Sequence, residues 1–120
     1  GLVAVLTPTL EQTAHAAEAI LVPIVISPST LNLESYGTWV TVHAEIPYSS
    51  VVGATVTLNG IPVKTTFADN RGELVAKFII GDVKGIVEVG KAELRLSGTT
   101  KEAADFYGTD TIRVVSVIGR

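Results

Sequence analysis

The 120-residue chain contains no cysteine and no methionine. Without cysteine there is no disulfide framework, no thiol nucleophile and no cysteine metal site. Two histidines cannot supply a three-histidine metal centre. Charge is scarce, at 18% of residues, and 9 Lys and Arg against 12 Asp and Glu leave a net charge of −3. That balance offers no basic field for nucleic acid or for anionic lipid. Long apolar runs are missing too. The longest, Ala19 to Ile26, is far too short to cross a bilayer and is interrupted by Pro23. No Gly-x-Ser-x-Gly elbow, glycine-rich phosphate loop or Asn-x-Ser/Thr sequon occurs. The missing methionine suggests a chain whose first residue is not an initiator, cut upstream during export or trimmed.

Hydrophobic residues make up 47% of the chain, which excludes disorder of the charge-rich kind. The length suits one domain that buries roughly two-thirds of its unfolded surface. Val, Ile and Thr, at 17, 10 and 14 residues, dominate. Their branched β-carbons fit a pleated sheet better than a helix.

From residue 20 onward, short strand patterns arrive about every ten residues. Ile20 to Ile26 reads as a fully apolar strand stopped by Ser27-Pro28-Ser29. Over Thr38 to Ile46, Val40, Val42, Ala44 and Ile46 point one way and Trp39, Thr41, His43 and Glu45 the other. Ala54 to Leu58 alternates likewise and runs into Asn59-Gly60, a strong hairpin signal because both positions accept φ > 0. Val63 to Phe67 is the expected return strand. Asp69 to Gly72 turns the chain into Glu73 to Ile80, and residues 81–90 form a longer connection with one helical turn expected at Val83 to Val87. Lys91 to Ser97 and Asp110 to Ile118 complete the series. About seven strands, with no helix long enough for parallel crossovers, predict a single antiparallel, immunoglobulin-like β-sandwich over residues 20–120.

Residues 1–19 fall outside that series. Gly1 to Leu6 is apolar, Thr7-Pro8-Thr9 interrupts it, and Leu10 to Ala19 is alanine-rich, with Thr9 and Gln12 spaced as a capping box for a short helix. One reading is a signal-peptide remnant, since Ala14-His15-Ala16 and Ala17-Glu18-Ala19 both have the small-x-small form of a cleavage site. The other is a donor strand: Leu2, Val3, Ala4, Val5 and Leu6 leave their own subunit and add to a neighbour's sheet, with the alanine-rich segment as connector.

Few side chains suggest chemistry. Asp69, Asn70 and Glu73 follow part of a calcium-loop pattern, though Arg71 falls among the oxygens and no Glu follows at EF-hand spacing. A polar hairpin loop explains the same residues, and Asp105 and Asp110 are further oxygen candidates near a strand end. Trp39 with Thr41, His43 and Glu45 is either a sugar-stacking platform, an interface anchor or a tryptophan lying over the sandwich edge. His15, between Glu11 and Glu18, is a metal candidate or simply an exposed helix position. Lys77, on an otherwise apolar strand, is a candidate for an isopeptide bond to Asn or Asp. No catalytic set emerges, and no enzymatic role is expected.

Several segments together resemble a module of secreted and surface proteins of archaea and bacteria. They are Ser27 to Val42 (SPSTLNLESYGTWVTV) with Glu45 to Pro47, then Val56 to Gly60 (VTLNG), Asp69 to Phe78 (DNRGELVAKF) and Phe106 to Val114 (FYGTDTIRV). The resemblance covers about residues 22–116. It implies a β-sandwich, a secreted or cell-surface location and no catalytic residue. Such modules carry a loop richer in Asp and Gly where this chain keeps Asp69 and Asn70, so calcium is less firmly implied. The 120 residues hold no second module of the kind that usually stands beside it. In plan, the added apolar extension is similar to that of donor-strand fibre subunits of prokaryotic surfaces. The combined expectation is a non-enzymatic subunit that polymerises with itself into an extracellular filament, pilus-like fibre or sheath. An accessory carbohydrate- or calcium-binding module is the alternative.

Overall fold

The structure, a computed structural model, describes residues 19–118. Ten β segments and one short helix follow in order. They are β1 (Ile20–Leu21), β2 (Ile24–Ser27), β3 (Thr30–Asn32), β4 (Trp39–Pro47), β5 (Thr57–Leu58), β6 (Ile61–Pro62), β7 (Thr65–Ala68), β8 (Glu73–Ile79), α1 (Ile80–Lys84), β9 (Gly90–Thr99) and β10 (Asp105–Val115). They form two packed sheets, in the orders β1-β10-β9-β5-β6 (with β3 also on β10) and β2-β4-β8-β7. The chain is an all-β sandwich.

Alternation builds the core. Val40, Val42, Ala44 and Ile46 of β4 are buried, as are Leu74, Ala76 and Phe78 of β8 and Leu94 and Leu96 of β9. Their neighbours in sequence face outward, the period-2 consequence of the pleat. Asn59 (φ 47°) and Gly60 (φ 86°) make the expected tight turn between β5 and β6. The Asn59 side-chain Oδ1 accepts the Arg95 N–H at 2.7 Å, tying the hairpin to β9.

Three expected strands are divided differently. Ile20 to Ile26 is not one strand: β1 lies parallel to β10, β2 crosses to pair antiparallel with β4, and β3 returns to lie parallel to β10. The sheets are therefore antiparallel everywhere except at these two short ladders. Pro23, which has no N–H to donate, sits in the first crossing, and its carbonyl accepts the Glu45 N–H at 3.0 Å. Ala54 is exposed in a 3₁₀ turn (Gly53–Thr55), so only the end of its expected strand pairs. Val63 to Phe67 also switches sheets, because β6 ends at Pro62 and the next segment, β7, joins β8. The helical turn falls at Ile80–Lys84, a few residues before the expected position, burying Ile80 and Val83.

Two positions in β10 explain the first crossing. Along its inward register Phe106, Ile112 and Val114 are buried hydrophobics, but Gly108 and Asp110 interrupt the series. A β-carbon on Gly108 would lie 2.1 Å from the Val22 carbonyl oxygen and 2.7 Å from an Ile24 methyl. The crossing chain thus passes directly over the glycine. One residue pair further, the Asp110 carboxylate accepts the Ile26 N–H through Oδ2 and the Thr111 N–H through Oδ1, both at 2.9 Å. It joins the two sheets where the crossing leaves their edges without ladder partners.

The sandwich has two distinct ends. The chain enters at Ile20 beside Phe106, near the turn after β4 (Tyr48–Ser50), the β7–β8 loop and the β9–β10 loop. At the far end lie the connection after β3, helix α1 with residues 85–89, and the exit from β10. The ten residue steps of β10 separate the ends by about 33 Å.

Candidate functional site

The outer face of the four-stranded sheet gathers the side chains singled out around Trp39. Register places Val25, His43, Val75 and Phe67 in one row across β2, β4, β8 and β7. Ser27, Thr41, Lys77 and Thr65 form the next, and Trp39 pairs with Ile79 at the far end. Val75 is only 1% exposed although it faces away from the core, so its row neighbours cover it. Phe67 remains 41% and Val25 61% exposed. The Lys77 ammonium stands 5.6 Å from the centroid of the Trp39 ring and 5.7 Å from that of Phe67. A cation held between two rings contributes about 0.5–1 kcal/mol per contact at an exposed site. Lys77, the isopeptide candidate, therefore belongs to an aromatic surface, where its ammonium faces two rings. Phe67 and Val75 were not singled out from sequence. A phenylalanine on a solvent-facing register was the available signal.

The loop from Asp69 to Glu73 is organised by its own aspartate. Asp69 Oδ1 accepts the Arg71 N–H at 2.8 Å and the Glu73 N–H at 2.9 Å, while Gly72 takes φ +83°. The Glu73 N–H above all holds the Asp69 carboxyl below its ordinary value; burial opposes this, and the Arg71 amide and guanidinium add to the lowering. Arg71 approaches Glu73 at 3.9 Å on the surface. Asn70 is exposed at the loop tip. Asp69 and Glu73 do line a shallow hollow of about 180 Å³ with His43, Glu45 and Arg71. Calcium takes six to eight oxygens, whereas here one carboxylate oxygen already serves two amides and a guanidinium intrudes. Among the described residues no cluster of three or more His, Cys, Asp or Glu is placed to hold a metal. The loop geometry is that of a capped hairpin turn.

Asp105 and Asp110 do not come together. Five residues apart on one strand they face opposite sides. Asp105 accepts a long hydrogen bond from Thr99 Oγ1 at 3.4 Å, and Asp110 holds the crossing strand. The donor-strand residues Leu2, Val3, Ala4, Val5 and Leu6, the capping box at Thr9 and Gln12, His15 and both cleavage-like triplets lie wholly or largely outside the described residues.

Exposed large hydrophobics lie at both ends: Tyr36 (99%), Ile79, Ile86, Val89 (64%), Val117 and Ile118 (76%) at the far end, and Ile20, Leu21, Tyr48 and Val52 at the entry end. A cleft of about 640 Å³ opens there on the outer face of the larger sheet, over Thr111, Arg113 and Val115 and walled by Val89 and Lys91. A second cleft, of about 650 Å³, lies at the entry end between Ile20, Leu21, Ile46 and Pro47 on one side and residues 100–104 on the other. Among the described residues no helix is long and apolar enough to cross a membrane. Comparison with protein-family models, with curated proteins and with solved structures found no match.

Proposed function

We propose that the chain is a structural subunit, secreted to the cell exterior, that assembles with copies of itself into a filament or sheath. Residues Leu2 to Leu6 are the donated segment and residues 7–19 the connector. The observation that carries this reading is the polarity of the domain. The extension joins at the entry end, beside Ile20 and Phe106, and the opposite end exposes a separate and larger group of hydrophobics around Tyr36, Val89, Val117 and Ile118. A contact between two different surfaces of identical copies is heterologous, and it propagates as an open filament wherever the rotation between copies does not close a ring. Clustered exposed apolar surface at the end opposite the extension marks an interaction site. Deleting Gly1 to Thr9 should leave a folded monomer on a sizing column and abolish fibres under negative stain. Fibres of unchanged number and length from the truncated chain would refute the proposal.

The surface formed by Trp39, Lys77 and Phe67 favours a second reading, an accessory carbohydrate-binding module. An aromatic face beside polar hydrogen-bonding groups suits the alternating apolar and hydroxyl faces of a sugar ring. That reading requires a monomer whose melting temperature rises on adding glycan, by an amount equivalent to about 2.7 kcal/mol at a hundredfold excess over Kd. Loss of the shift in Trp39→Ala would support it, and a glycan-insensitive polymer would reject it.

A further inference from the structure

We propose that the far-end cleft over β10 is the acceptor for Leu2 to Leu6 of a second copy; this rests on the self-assembly reading above. The cleft has room for several apolar side chains, at about 640 Å³, well within the range of sites that bury small ligands. Val89 and Val115 supply apolar surface on its wall and floor, and Ile112 and Val114 lie beneath. Ser29 brings the start of β3 to the rim, and β3 is paired on one side only, with β10. A donated segment therefore finds an apolar cleft for its side chains and, at the rim, a strand with an unpaired edge, the two features that strand addition uses.

Charge and reach agree with that occupant. The cleft lining includes Lys91 and Arg113 but no Asp or Glu. Residues 1–19 contain Glu11 and Glu18 but no Lys or Arg. The acidic connector and basic rim attract one another, which steers the heterologous docking against a head-to-head arrangement. The thirteen connector residues, 7–19, span at most about 45 Å when extended. That length lets the donor segment pass from the entry end of one copy into the far end of the copy abutting it. The entry-end cleft is the poorer acceptor, because it lies beside the point where each copy's own chain enters and sets Glu45 and Glu102 against a single Lys101.

The absence of cysteine from the chain makes the test clean. Full-length Ala4→Cys and Thr111→Cys proteins are prepared separately, mixed and oxidised mildly. Ser49→Cys, in the entry-end cleft, replaces Thr111→Cys in a control mixture. The proposal expects a disulfide-linked pair from Ala4→Cys with Thr111→Cys at roughly tenfold or more above the control. It also expects a ladder of multimers from the chain carrying both Ala4→Cys and Thr111→Cys. Val89→Asp, at an exposed position and with its folding checked by circular dichroism, should lower the polymerised fraction about tenfold. A double variant that closes only on itself shows docking within one copy and overturns the proposal. If deletion of Leu2 to Leu6 stops assembly but neither the cross-link nor Val89→Asp has an effect, the cleft is wrong and self-assembly by donation stands. If that deletion leaves assembly intact, the underlying reading fails along with the cleft.

Discussion

Gly108→Ala tests whether the first strand is held across both sheets as described. The added methyl would sit 2.1 Å from the Val22 carbonyl oxygen, a backbone atom that cannot rotate aside, and 2.7 Å from an Ile24 methyl. Ordinary contact begins near 3.4 Å, so the crossing segment must lift by more than an ångström. Lifting it also stretches the Val22 N–H to Tyr107 carbonyl hydrogen bond, now 2.8 Å. Overpacking a core contact costs about 1–3 kcal/mol, and a lost hydrogen bond about 1 kcal/mol more. A total near 3 kcal/mol lowers Tm by about 12–24 °C for a domain of roughly a hundred residues. Thermal unfolding followed by circular dichroism measures this directly. Gly81→Ala is the internal control: nothing lies within 4 Å of its new methyl, and it sits in α1. There the change should stabilise by about 0.5–1 kcal/mol, because alanine gives up less backbone entropy than glycine in a helix. A Gly108→Ala protein that melts within roughly 2 °C of the parent would refute the close crossing and the weave built on it.

Two further predictions concern the aspartates. Asp110→Ala leaves the Ile26 and Thr111 N–H groups without their shared acceptor and should cost about 2 kcal/mol in urea unfolding, with faster amide exchange at Ile26. Unchanged exchange there would show that the clamp is dispensable. Asp69 has its folded-state pKa lowered, chiefly by the Glu73 N–H, so its contribution to stability is present above the ordinary value of 3.8 and is lost as pH falls through the lower folded value. Melting curves from pH 7 to pH 2 should therefore show the parent above Asp69→Ala at neutral pH, the gap narrowing below about pH 3.8. A gap constant across that range would sink the assignment.

The sequence by itself determined the class of fold and the places of its long central strands. β4 and β9 were legible because each alternates over seven or more residues, β8 because a turn leads into an apolar run, and the Asn59-Gly60 turn because few residues adopt its backbone angles. The same alternation assigned Trp39 to an outer face. Tertiary structure decided where segments leave one sheet for the other. Ile20 to Ile26 is apolar at nearly every position, so its pattern cannot say which sheet each residue serves; that depends on Gly108 and Asp110, more than eighty residues away. Those two interruptions in an inward register are the sequence trace of the crossing, and their meaning needs the partner strand beside them. Likewise Val63 to Phe67 carries a strand pattern whichever sheet receives it, and Pro62 together with the free edge of β8 settles the choice. The two ends of the domain come from the same source. Tyr36, Val89 and Ile118 are scattered through the chain and acquire a common location only when parallel and antiparallel ladders fix the direction of every strand.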